Sequence, residues 1–60
     1  MKNNIFDNNL SEKFFEEGIN DFIKSDYKKA KENFKISVIN NPNNIKSLYQ
    51  LAIINTYNQS

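Results

Sequence analysis

A chain of 60 residues with neither cysteine nor histidine has to be held together by packing alone. A domain of this size buries only about 60% of the surface its unfolded chain exposes, so its stability is marginal. Disulfides and zinc are the usual supports for folds this small, and both need the residue types that are missing. Calcium would need the spaced acidic loop of an EF-hand, and the sequence has none. Packing against another chain is the remaining support.

Charge narrows the function classes. The net charge is +1, which does not argue for nucleic acid or for an acidic surface as the partner. All eight basic residues are lysines, and asparagine fills twelve positions. That bias fits an AT-rich coding sequence better than it fits a functional reading of the asparagines. No apolar run approaches the roughly 20 residues of a membrane span. The opening residues, Met1 to Asp7, lack the apolar stretch of a signal peptide, so a cytoplasmic location is expected. Asn9-Leu10-Ser11 and Asn58-Gln59-Ser60 match the glycosylation pattern, and in so asparagine-rich a chain both read as chance.

Apolar spacing then divides the chain. Residues 1–10 read as an irregular lead-in carrying Ile5, Phe6 and Leu10. The spacing predicts a first helix from Ser11 to Lys24, with Phe14, Phe15, Ile19, Phe22 and Ile23 toward one side. Asn9 is its candidate N-cap, with Glu12 three residues on in a capping box. Ser25-Asp26 breaks the pattern, and Asp26 can cap the next helix. Tyr27 to Asn40 reads as the second helix, with Tyr27, Ala30, Phe34, Ser37 and Val38 inward and Lys28, Lys31 and Lys35 outward. Pro42, amid asparagines, ends it. The third helix runs from Ile45 to about Asn58. Ile45, Leu48, Tyr49, Ala52, Ile53 and Thr56 form one broad stripe on it, and Leu51, Ile54 and Tyr57 a flanking one. A helix this apolar expects neighbours on two sides. Short links between helices impose an up-down-up array.

Displacing the chain by 34 residues aligns Phe14 with Leu48, Phe15 with Tyr49, Gly18 with Ala52 and Ile19 with Ile53. A 34-residue period of helix–turn–helix units marks the tetratricopeptide repeat. Phe14 and Gly18 supply an aromatic and then a small residue; Asp26-Tyr27 supplies the turn; Ala30, Phe34 and Ser37 follow at the right intervals; Pro42-Asn43-Asn44 closes the unit. The chain resembles that family over Phe14 to Asn44, with Ile45 to Ser60 similar to the first helix of a second repeat. It departs from the pattern at Glu17, where leucine is preferred, at Asp21, where tyrosine is, and at Asn40, where leucine or isoleucine is common. The neighbouring Phe22 is placed to fill the gap at Asp21. The implied fold is all-α: an antiparallel helical hairpin plus a third helix in a tetratricopeptide-like right-handed array, with residues 11–60 as the domain.

The resemblance also implies a function. In this family the first helix of each repeat lines a concave, peptide-holding face. Here the lining positions would be Glu12, Phe15, Glu16, Ile19, Phe22 and Ile23, then Lys46, Tyr49, Gln50, Ile53 and Thr56. Members that clamp a peptide's terminal carboxylate use lysine and asparagine at its centre. This chain has Phe15 and Ile19 there, so the partner surface should be apolar. A core of Phe14, Gly18, Tyr27, Ala30, Phe34, Val38, Leu48 and Ala52 would leave Phe15, Ile19, Phe22, Tyr49 and Ile53 as the partner-binding set. Three fates are open to it: burial in a homodimer, which is favoured because solenoids need about three repeats to be stable; a separate peptide or protein; or cover by the chain's own Ile5, Phe6 and Leu10.

Catalysis finds little footing. No serine sits in a nucleophile motif. Adjacent Glu16 and Glu17 point about 100° apart on a helix and do not converge. Gly18 is mid-helix, so there is no glycine-rich phosphate loop. Lys28, Lys31 and Lys35 could touch phosphate, but Glu32 interrupts them and arginine is absent. The expectation is a non-enzymatic protein–protein interaction module without cofactor, metal or small-molecule substrate. Its alternatives are a structural oligomerisation unit or a fragment of a longer repeat scaffold, and, more remotely, a small nucleic-acid-binding protein.

Overall fold

The computed structural model describes residues 6–57, without the Tyr57 side chain. Ile5 of the lead-in, Asn58 at the end of the expected third helix, and the Asn58-Gln59-Ser60 tripeptide lie outside them. The described residues form three helices and no strand: α1 (Asn8–Ile23), α2 (Tyr27–Asn40) and α3 (Ile45–Tyr57). The second helix has the bounds its periodicity gives.

The first helix starts earlier than expected. Asp7 is its N-cap, accepting the Leu10 N–H at 3.1 Å through its side chain, so Asn9 and Leu10 are already helical. A carboxylate here satisfies an open N–H and faces the positive end of the helix dipole, whereas a neutral asparagine cap would supply only the first. The Asp7 N–H also donates to the Asn40 carbonyl at 2.8 Å, and Asn41 Nδ2 donates to Asn8 Oδ1. The start of α1 is thereby tied to the end of α2.

At its far end α1 closes in a Schellman turn. Asp26 N–H reaches the Asp21 carbonyl, and Ser25 N–H the Phe22 carbonyl. Ser25 takes the left-handed conformation this turn requires, with φ of 64°. Asp26 then caps α2 by accepting from the Lys29 N–H. The chain reverses over three residues, which places α1 and α2 antiparallel and in contact along most of their length.

Where they cross, Phe34 lies on Gly18. A Cβ added to Gly18 would sit 2.5 Å from Phe34 Cε1. Phe34, Ala30 and Ile54 are the fully buried apolar residues, with Phe15, Ile19, Phe22 and Leu51 packed around them. The Phe15 and Phe34 rings meet at 5.9 Å between centroids, and those of Phe22 and Tyr27 at 5.3 Å. The departure at Asp21 is accommodated by polarity: its carboxylate, 9% exposed, accepts from Asn33 Nδ2 at 2.7 Å.

The third helix corrects the expected core. Leu48 and Ala52 are exposed, and Leu51 and Ile54 face inward instead. A helix with apolar residues on more than one side does not specify its own rotation by periodicity alone, so polar anchors decide it. Asn44 caps α3 by accepting the Ser47 N–H, and Ser47 Oγ hydrogen-bonds the Ser37 hydroxyl of α2. With Ser47 inward, Leu51 and Ile54, four and seven residues on, follow on the same face.

Two substitutions test this packing. Gly18→Ala adds a helix-favouring methyl worth about 1 kcal/mol, but overpacking against the buried ring costs ~1–3 kcal/mol. Urea unfolding followed by circular dichroism should therefore show lower stability; a higher midpoint would contradict the close approach. Ser25→Gly relieves a left-handed L-residue and should stabilise by roughly 1 kcal/mol, raising Tm by ~4–8 °C in a domain this size.

Candidate functional site

Two groups of side chains fall outside the apolar core: a buried polar cluster where the three helices meet, and an apolar stripe facing away from it.

The polar cluster is built from the start of α1, the end of α2 and the start of α3. Ser11, Ser37 and Ser47 are fully buried and Asn44 nearly so. Ser11 Oγ donates to the Ser37 carbonyl at 2.8 Å, and Ser37 Oγ to the Ser11 carbonyl at 2.7 Å. Asn44 Nδ2 donates to Ser11 Oγ at 2.8 Å. At its rim Lys46 Nζ meets Glu12 Oε1 at 2.7 Å and lies 4.8 Å from the centre of the Phe15 ring. Each buried hydroxyl touches another protein group, and among the described residues no buried side-chain nitrogen or oxygen lacks a partner. The cluster is a fastening between helices rather than a vacant site. Nor do three acidic side chains gather among the described residues in a way that could hold a metal ion.

The five residues read as partner-binding are divided by the fold. Phe15, Ile19 and Phe22 are half-buried against the core. Ile53 is also half-buried. Tyr49 is 64% exposed. The face expected across α1 and α3 is therefore largely closed on the α1 side. Phe6 and Leu10 of the lead-in trio are exposed.

The apolar side chains that stay open include a row on α3. Ile45 (75% exposed), Leu48 (44%), Tyr49 and Ala52 stand at i, i+3, i+4 and i+7, one continuous stripe opposite Ser47 and Ile54. Lys46 is the single charged residue of α3, and it is engaged by Glu12 on another face. Ile36 and Ile39 on α2 and Ile23 on α1 are further exposed aliphatics. Sequence reasoning placed Leu48 in the core and passed over Ile39. The signal for the first was the polar pair Asn44 and Ser47, which marks the inner side of α3; Ile39, between Val38 and Asn40 at a helix end, gave none.

The lysines of α2 make a weaker surface. Lys28 and Lys35 are exposed, Lys31 is half-buried and Glu32 is exposed among them. A shallow indentation nearby is lined by Asp26, Lys28, Lys29 and Glu32, so its charge is mixed. No described helix is long and apolar enough to cross a membrane.

Removing the central hydroxyl should be costly. Ser37→Ala takes partners from Ser11, Ser47 and Asn44 at once, and a buried polar group left unsatisfied costs ~1–3 kcal/mol. Lys46→Ala removes a half-exposed ion pair, worth ~0.2–1 kcal/mol and weakened by salt, and a surface contact with the Phe15 ring. Denaturant midpoints of the two variants at low and high salt should rank them in that order.

No protein-family model, curated protein or solved structure matches the chain, so its functional reading rests on this geometry.

Proposed function

We propose that the protein is an interaction module that acts by burying apolar helix surface against another protein, in the first place against itself. The observation that carries this reading is the α3 stripe of Ile45, Leu48, Tyr49 and Ala52. These side chains form one connected, charge-free strip on a chain whose fully buried apolar core, among the described residues, is Ala30, Phe34 and Ile54. Contiguous exposed apolar surface on a small protein marks a site of association. Association also supplies the burial that a chain of this length lacks.

The tetratricopeptide-like arrangement has two supports. Gly18 and Phe34 meet where a repeat's two helices would cross. Glu12 and Lys46, 34 residues apart, form the ion pair that links the starts of α1 and α3. Successive repeat units bring equivalent positions side by side in this way. Within that frame the working surface lies on the outward side of α3 rather than in the groove between α1 and α3.

Sedimentation equilibrium over a wide range of concentration, with helicity measured on the same samples, tests the proposal. The average mass should rise with concentration while helicity holds or increases. A helical monomer at every concentration would remove self-association from the reading.

A further inference from the structure

The stripe on α3 has a counterpart within the same chain. At the 34-residue offset, Ile45, Leu48, Tyr49 and Ala52 correspond to Ser11, Phe14, Phe15 and Gly18. Those four are buried or half-buried, and Gly18 lies directly beneath the Phe34 ring of α2. The side that α1 presents to α2 is thus the side that α3 leaves open. A small residue sits at the centre of each: Gly18, over which an aromatic ring lies, and Ala52, which is exposed. The α3 surface has the form of a helix-packing face without its helix.

We propose that this face is covered by the α3 helix of a second copy, lying antiparallel across it with Tyr49 of each copy on Ala52 of the other. The inference rests on the self-association proposed above and specifies its surface and geometry. Three features favour a second copy. The stripe has no charge, so two copies meet without opposing like charges. It carries its own aromatic and its own small residue less than one turn apart, which makes it self-complementary about a two-fold axis. Ala52 allows axes to approach toward the short end of the 8–10 Å range of packed helices.

An antiparallel pair with its axis between Gln50 and Leu51 sets Tyr49 opposite Ala52, Leu48 opposite Ile53 and Ile45 opposite Thr56. It keeps the two Lys46 side chains at opposite ends, whereas a parallel pair would bring them and the like ends of both helix dipoles together. A 13-residue helix is ~20 Å long and offers less than the ~800 Å² per partner of a standard interface. The dimer is accordingly weak, and concentration controls it.

The absence of native cysteine makes a disulfide test clean. Ile45→Cys and Thr56→Cys chains, prepared separately, are mixed and oxidised under conditions where the unmodified chain sediments as an associating species. The mixed disulfide, one Ile45→Cys chain joined to one Thr56→Cys chain, should dominate, with little product joining two Thr56→Cys chains. In parallel, Tyr49→Glu, a change at an exposed position that should leave helicity intact, should weaken association about tenfold or more, because pairing would bury an uncompensated carboxylate. Dominant coupling of Thr56→Cys chains to each other would replace the antiparallel arrangement with a parallel one. Preferential coupling of the Ile45→Cys chain to an Ile39→Cys chain would put α2 of the second copy in place of α3. Association unchanged by Tyr49→Glu would also overturn this inference, while leaving self-association through another surface standing. Only a monomer at all concentrations would take both readings down together.

Discussion

The fold depends on one close approach. Phe34 can be fully buried because Gly18 has no side chain where the two helices cross. The contact draws α1 and α2 together, and it lets Phe15, Ile19 and Phe22 gather around a single ring. Full burial of an aromatic of this size contributes roughly 1.5–3 kcal/mol, a large share for a chain with so small a core. The short turn at Ser25 and the double tie between Asp7–Asn8 and Asn40–Asn41 hold the ends of the hairpin in a register that keeps the ring over the glycine.

Polar contacts complete the molecule where apolar ones run out. Ser11, Ser37, Ser47 and Asn44 fill the junction of three helix ends, a place where bulky side chains would hold the backbones apart. Net stabilisation from such hydrogen bonds is modest, while leaving one unmade is costly. Their effect is therefore more on specificity than on stability: α3 can rotate out of its position only by breaking several bonds in a buried site. That constraint turns Leu51 and Ile54 inward and, by the same rotation, Ile45, Leu48, Tyr49 and Ala52 outward. The binding surface proposed for the protein is a consequence of how its serines are satisfied.

Local signals were legible where one interaction dominated. Asp26 and Pro42 delimit α2 because capping and the missing proline N–H act over one or two residues. Ala30, Phe34 and Ser37 form its inner side because polar lysines oppose them. Gly18 was marked, together with Ala52, by the 34-residue offset that aligns the two small residues, and only Gly18 lies at a crossing. The start of α1 was less legible, since Asp7, Asn8 and Asn9 can all cap a helix, and the choice fell to Asp7 through its long-range bond to Asn40. The site was the least legible part. Phe15, Ile19 and Phe22 share a periodic face with core residues, and spacing alone cannot separate a ring that packs on a neighbour from one that waits for a partner.

The sequence by itself determined three helices and the turns between them. These follow from capping, turn chemistry and helix periodicity, which act within a few residues. Only the tertiary structure decided which side of α3 is buried. That helix carries apolar residues on two sides, Ile45, Leu48, Tyr49 and Ala52 on one and Leu51 and Ile54 on the other, so its pattern permits more than one rotation with similar apolar burial. The choice was made by Ser47 and Asn44 finding Ser37 and Ser11, partners as far as 33 residues away in sequence, and a hydrogen bond between distant residues leaves no period in the chain.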